Sequence, residues 1–475
     1  MRFLLSLSLF VCLASANVVN TSPSGGLSSF SGIASGKTAQ ARREKKFDDF
    51  TAATPQLVAQ TGGTATVLAS GLNLAKAILG SGLLSLPGGV SYFSNAKSAL
   101  APAIAIFVGM AGLGIYTFKS IPVAMIATGG SSYSECWGAL MGAKYEWIVS
   151  FGCTLKCLFA ALAQSIVLGD AFSSLAITFG LPPQLASRAA VVTAVHVGAL
   201  LPLSLMRDLA SLAPFSVLGL FTVFYTVGFM VFRLFEGSYK PGGKFHDAKQ
   251  AASQTKPKFY GSGAVNAKTL VLLAMTVSSL IAHYLAAKFY SGLIDTDLSK
   301  FQQMAAIGYS LAVVMSIVSM VAGFLTFGSQ SQGLILNNYS NKDPLATLAR
   351  AGIALAILFG YPFTFAALRD GLWDFVRTSK DARTEQFSLL TVGLMSILTV
   401  SAIALKDVSF VVSLSGSLFG SFLMFTAPAL MNIKRLADMP GAALEILFNK
   451  FIVVFGSGLN VLGVVITIMK QMGRL

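Results

Sequence analysis

Charge is what this sequence has least of. Only 11% of its 475 residues are Asp, Glu, Lys or Arg, where a soluble domain carries about 25%. With 54% hydrophobic residues and a mean hydropathy of +0.72, the water-soluble classes are excluded, and the lipid bilayer becomes the expected surroundings. Acid is scarcer than base, 19 Asp plus Glu against 34 Lys plus Arg, for a formal charge of +15. The bases are scattered among apolar segments, which suits cytoplasm-like faces and anionic headgroups and not a nucleic-acid partner. The four cysteines (Cys12, Cys136, Cys153 and Cys157) support no disulfide framework. Cys153 and Cys157 share a helical face inside an apolar run, the usual place of small buried hydrophobes. With only three His in the chain and none near that pair, no metal site is expected. A dinucleotide Gly-x-Gly-x-x-Gly, a Walker motif and a Cys/His metal set are absent too, so neither an enzyme nor a cofactor is expected.

The N-terminus reads differently from the rest. "MRFLLSLSLFVCLASA" has Arg2, an apolar core and the small-x-small pattern Ala14-Ser15-Ala16, a signal-peptide arrangement over residues 1–16. Residues 17–43 hold eight Ser or Thr, no Asp or Glu, and Lys37, Arg42 and Arg43. That is transit-peptide composition. Signal followed by transit resembles the bipartite leader of algae with complex plastids, although Asn17 stands where those leaders usually have an aromatic residue. A signal peptide followed by a disordered Ser/Thr-rich tail to residue 60 is the alternative, with a vacuolar or other endomembrane as destination.

A spanning helix needs about 20 mostly apolar residues. From residue 64 to 470 the chain offers eleven such spans, near 65–90, 99–127, 147–178, 188–206, 209–234, 268–293, 302–328, 344–368, 386–405, 408–431 and 448–469. One long polar connection, 236–267, separates five spans from six. Placing the N-terminal tail on the cytoplasm-like side also puts Arg207, Lys300, Arg377, Lys380, Arg383, Lys434 and Arg435 there, as the positive-inside rule prefers.

Span 1 contains "NLAKAILGSGLLSLP", residues 73–87, with Gly80, Ser81 and Gly82 at its centre, Lys76 upstream and Pro87 behind. Glycine costs a helix interior about 1 kcal/mol and proline about 3. Such a break is allowed where the helix lines a cavity, and its half-helix N–H groups can meet an anionic substrate group. Span 6 holds His283 and Lys288 among apolar residues, and ionisable groups at membrane depth usually face a cavity or a partner. Irregular residues at the head of each five-span set point to an inverted-repeat transporter, with spans 1–5 and 6–10 as repeats. Asp170 and Lys156 of span 3 are fourteen residues apart, about 21 Å along a helix, and cannot pair with each other. Asp170 is kept as a coupling candidate. His196 reads as a core histidine and His246 as a loop residue.

These stretches resemble the amino acid/auxin permease family, of the amino acid-polyamine-organocation superfamily. The likeness runs from "NLAKAILGSGLLSLP" through "AHYLAAKFYSGL", which holds Ala282, His283 and Tyr290. It continues in the Tyr361-Pro362 and Arg369-Asp370 of span 8 and in "VVSLSGSLFGSFLMFTAPALMNIK" of span 10, over about residues 64–435. The resemblance implies an all-α polytopic membrane protein of about eleven helices, with a five-plus-five inverted repeat of leucine-transporter type and broken helices 1 and 6. It also implies an amino acid substrate met by Gly80, Ser81, Gly82, Ala282, His283 and Tyr290. There are departures. Tyr284-Leu285 stand where the family often has Pro-Glu, Lys76 lies where sodium-coupled members tend to have Asn, and Gly360 replaces their hydroxyl residue. A fixed ammonium repels sodium, so Asn73, Lys76, Gly360 and Asp170 become coupling candidates, with the proton preferred as the coupling ion.

The expected function is therefore secondary transport of amino acids with neutral side chains, as a proton symporter. The alternatives are a sodium-coupled or uncoupled exchanger, and an amino-acid-sensing membrane receptor.

Overall fold

Span 1 is two helices. The Thr66 hydroxyl accepts the Ala69 N–H at 3.3 Å and starts Val67–Ile78. That helix stops at Leu79, whose ψ of 55° is not helical; the second half is Ser81–Phe93, and its axis over Gly82–Phe93 is bent 49° from the first. Pro87 lies inside the second half and has no N–H for the carbonyl of Leu83. Ser319 of span 7 donates its hydroxyl to that carbonyl at 3.4 Å. Gly323 makes room for the ring, since a Cβ there would lie 2.7 Å from Pro87 Cγ. A helix breaker persists at this depth because a neighbouring span replaces what it removes.

Span 6 is broken as well. Thr269–Leu280 ends at Ile281 in extended backbone (ψ 117°), Ala282 leads into a single 3₁₀ turn, His283–Leu285, and Ala286–Ser291 completes the span. The break falls two residues before His283, and Tyr309 of span 7 donates to the Leu280 carbonyl at 3.2 Å, meeting one of the groups that a helix end leaves open.

These features come from a computed structural model that describes residues 63–93, 100–206, 213–246, 267–376 and 380–474. The leader and tail expectations for residues 1–60, and most of the 236–267 connection, lie outside the described residues. Spans 2 to 5 are Leu100–Thr128, Glu146–Thr178, Arg188–Leu205 and Ala213–Glu236. Spans 7 to 11 are Leu298–Phe327, Pro344–Val376, Phe387–Ala404, Val408–Leu436 and Ala443–Gln471. With each bent pair taken as one span, that makes up to eleven. Each set of five opens on a broken helix.

Packing brings the broken spans together. The first half of span 6 lies along the second half of span 1, while span 7 lies along the first half of span 1. Small residues allow these close crossings. A Cβ on Gly82 would stand 2.6 Å from Ser279 Oγ, and one on Gly308 would stand 2.9 Å from the Gly71 carbonyl oxygen. Span 10 is almost entirely buried and contains two π turns, Gly416–Gly420 and Phe422–Thr426, with Gly416 so close to span 6 that a Cβ would lie 1.8 Å from the Ala274 carbonyl oxygen. Such π turns occur frequently at functional sites.

Two polar ties lie at the ends of the bundle. Gly63 and Ala65, just before span 1, pair as an isolated parallel bridge with the end of span 6: Gly63 N–H donates to Leu293 O (2.9 Å), Ala65 N–H to Gly292 O (3.1 Å) and Ile294 N–H to Ala65 O (3.1 Å). Elsewhere, Asp343 before span 8 accepts from Arg233 of span 5 at 2.7 and 3.0 Å and from the Tyr239 hydroxyl at 2.9 Å. Burial pushes the Asp343 carboxyl up, but the bonds from Arg233 and Tyr239 outweigh it and hold the group below its ordinary value.

Candidate substrate site

The two breaks open on one cavity of about 460 Å³, within the size range of small-molecule sites. Leu79, Gly80 and Gly82 line it from span 1, and Ser278 and Ile281 from span 6. A Cβ on Gly80 would meet no atom within 4 Å, so this glycine faces open space. Gly82 both lines the cavity and packs tightly on Ser279. A ligand here can approach bare backbone closely. The first turn of Ser81–Phe93 presents N–H groups that its own helix cannot satisfy, and a helix N-terminus favours negative charge. Ser81 belongs to that turn by its backbone, and its side chain lies outside the described residues.

Of the coupling candidates, Asn73, Lys76 and Gly360 also line the cavity. Lys76 is half-buried between spans 1, 5 and 8: its Cε lies 3.6 Å from where a Cβ on Gly219 would be, beside Ala356. Gly360 of span 8 has open space above it.

Four residues singled out from the sequence are placed elsewhere. Ala282 is fully buried at the break of span 6 and is not among the cavity-lining residues. His283 is fully buried against span 2, its Nε2 3.0 Å from Thr117 Oγ1 and its ring edge-on to Phe118. Tyr290 donates its hydroxyl to the Thr296 carbonyl at 3.1 Å and packs on Phe301. Asp170 is ion-paired with Arg188. The ionisable group at the span 6 break thus has a partner, and the partner is a threonine of span 2. His196 is likewise buried, with Nδ1 2.7 Å from Thr399 Oγ1.

Sequence reasoning missed the polar centre of the far wall. Lys156 of span 3 lines the cavity with its ammonium donating to Ser278 Oγ (3.0 Å) and Ser415 Oγ (3.1 Å). Eight residues on, Gln164 donates to Thr364 Oγ1 of span 8 at 3.3 Å, and both line the same cavity. Lys156 was visible as a charge in an apolar run. Its partners were not, because they come from spans 6 and 10.

Up to eleven spans, two five-span sets each opening on a broken helix, and a cavity where the breaks meet define a membrane transporter of the five-plus-five, leucine-transporter fold. Solved structures share that fold. MhsT in complex with L-phenylalanine matches 88% of this chain and 100% of its own, with 13% identity and a TM-score of 0.50. A mutant of the Eremococcus coleocola manganese transporter matches 88% of this chain and 90% of its own, also at 13% identity and a TM-score of 0.50. The sequence goes further. The family described as "Transmembrane amino acid transporter protein" matches residues 63–469, and the chain belongs to that family. Its relatives include the putative sodium-coupled neutral amino acid transporter 11 of Danio rerio, 25% identical over 85% of this chain and 86% of the relative. Vacuolar amino acid transporter 5 of Schizosaccharomyces pombe is 23% identical over 86% of this chain and 94% of its own length. Family and relatives are transporters, not enzymes.

Proposed function

We propose that this protein moves free amino acids by secondary active transport coupled to protons in preference to sodium. The observation that carries the reading is that both helix breaks and Lys76 face one cavity. The substrate's α-carboxylate is met by the N-terminal N–H groups of Ser81–Phe93. Its ammonium is met by backbone carbonyls where the first halves of spans 1 and 6 end, in the manner of broken-helix transporters. Lys76 supports the choice of ion. A cation fixed between spans 1, 5 and 8 repels a sodium ion there, and an amine can take up and release a proton through the cycle. Ala282, His283 and Tyr290 then shape the span 6 break from behind, while Asn73 and Gly360 flank the coupling position.

The test is uptake of labelled amino acids by the purified chain in proteoliposomes. Uptake is expected without sodium and to rise with an inward proton gradient. A strict sodium requirement would overturn the coupling, and binding without any uptake would favour a receptor. For location, we propose a plastid envelope membrane, supported by the signal-then-transit composition of residues 1–43. A fluorescent fusion of residues 1–60 should reach a plastid, and fluorescence confined to the vacuole or another endomembrane would reject that address.

A further inference from the structure

Lys156 is only 6% exposed, yet it lines the cavity. Its two hydrogen-bond partners, Ser278 Oγ and Ser415 Oγ, are neutral hydroxyls. An ammonium has three donors, so one remains for a ligand. No ion pair among the described residues includes Lys156. Lys76 is the other cation of the lining, and among the described lining residues there is no Asp or Glu. Charges at this depth are costly and normally paired. A zwitterionic amino acid with a neutral side chain brings one negative and one positive charge, which leaves this excess untouched. A substrate with a second carboxylate removes part of it.

We propose that the substrate is an acidic amino acid, and that its side-chain carboxylate takes the remaining donor of Lys156. This rests on the transporter reading and departs from the neutral side chain expected from the sequence. The serines give the device its geometry. Ser278 lies three residues before the break at Ile281, and Ser415 immediately precedes the π turn of span 10, so span 6 and span 10 together hold the ammonium in the cavity wall beside the break. Ser278 and Ser415 position the charge, and Lys156 reads it.

The experiment compares uptake of labelled L-glutamate and L-aspartate with L-glutamine, L-asparagine and L-leucine by the full chain in proteoliposomes. Acidic substrates are expected to be taken up and to compete with one another. Lys156→Gln should lower glutamate uptake relative to glutamine by about tenfold or more, as loss of a hydrogen bond to a charged group implies, and Lys156→Arg should retain more of the preference. Uptake of neutral amino acids that unlabelled glutamate does not inhibit would overturn the inference and leave the transporter reading standing. Uptake of no amino acid at all would overturn both. The competition on the unaltered chain decides the matter even where Lys156→Gln fails to fold.

Discussion

Asp170, near the end of span 3, and Arg188, the first residue of span 4, form an ion pair at 2.7 Å, with Asn337 donating to the second carboxylate oxygen at 3.0 Å. Arg188 also donates to the Ala402 carbonyl of span 9 at 2.6 Å. The carboxylate is therefore committed to Arg188 and Asn337, and through Arg188 the pair ties spans 3, 4 and 9 together. Asp170→Asn should cost about 2 kcal/mol of stability, the scale of a hydrogen bond to a charged group. It should leave the pH profile of uptake unchanged. Thermal unfolding in detergent and uptake at several pH values check the two halves of this expectation. A flattened pH profile would return Asp170 to the list of proton carriers.

Lys76 gives the opposite expectation. Lys76→Ala should weaken the stimulation of uptake by a proton gradient more than it weakens substrate affinity. The measurement is uptake against pH, alongside substrate binding to the same variant. An unchanged profile would remove Lys76 from the coupling step.

Two glycines of similar sequence context should respond differently. Gly80→Ala adds a methyl group where no atom lies within 4 Å, so the fold should persist while substrate binding weakens. Gly416→Ala places its methyl 1.8 Å from a backbone oxygen. Overpacking of this kind costs about 1–3 kcal/mol or more, and expression or melting temperature should fall. Equal stability of the two variants would contradict the crossing of spans 6 and 10.

Gly63 touches the end of span 6 so closely that a Cβ would stand 2.1 Å from the Gly292 carbonyl oxygen. Gly63→Val should break the short backbone pairing and free the start of span 1 from the end of span 6. With Cys157, which lines the cavity, as the sole cysteine, thiol labelling from that side should become faster. Labelling at an unchanged rate would show that the pairing does not restrain the first half of span 1.

Asp343 makes a prediction about acid. Its native carboxyl value lies below the ordinary 3.8, so its contribution to stability is present well above that value and is lost as pH falls past the lowered one. Asp343→Asn should lower the melting temperature at neutral pH, and the gap to the unaltered protein should narrow in strong acid. A gap that widens with acid would reverse the sign of this assignment.

Much of the fold was legible because a bilayer imposes a length on every apolar run. The spans emerged from that constraint, as did the break at Leu79-Gly80, where glycines and a proline crowd a membrane helix. The break of span 6 was legible only in outline. His283 marks the region, since a titratable group at that depth demands a partner, but the unwinding occurs at Ile281 and Ala282, two residues with no composition signal. Lys156 shows the other limit. Helical spacing could say that it does not reach Asp170, but it could not say which serines lie across the bundle, 122 and 259 residues away along the chain.

The two lysines of the cavity have a consequence for membrane voltage. A transporter that alternates access moves the electric field from one side of its binding site to the other, so Lys76 and Lys156 experience the potential in turn. One elementary charge crossing 100 mV is worth about 2.3 kcal/mol. On the proposed reading, the empty protein with both lysines protonated carries its cations through that field uncompensated, whereas a bound acidic amino acid offsets part of their charge. The return of the empty form is then the step that the potential hinders or helps most, and the direction of net flux becomes a property of the membrane as much as of the substrate gradient.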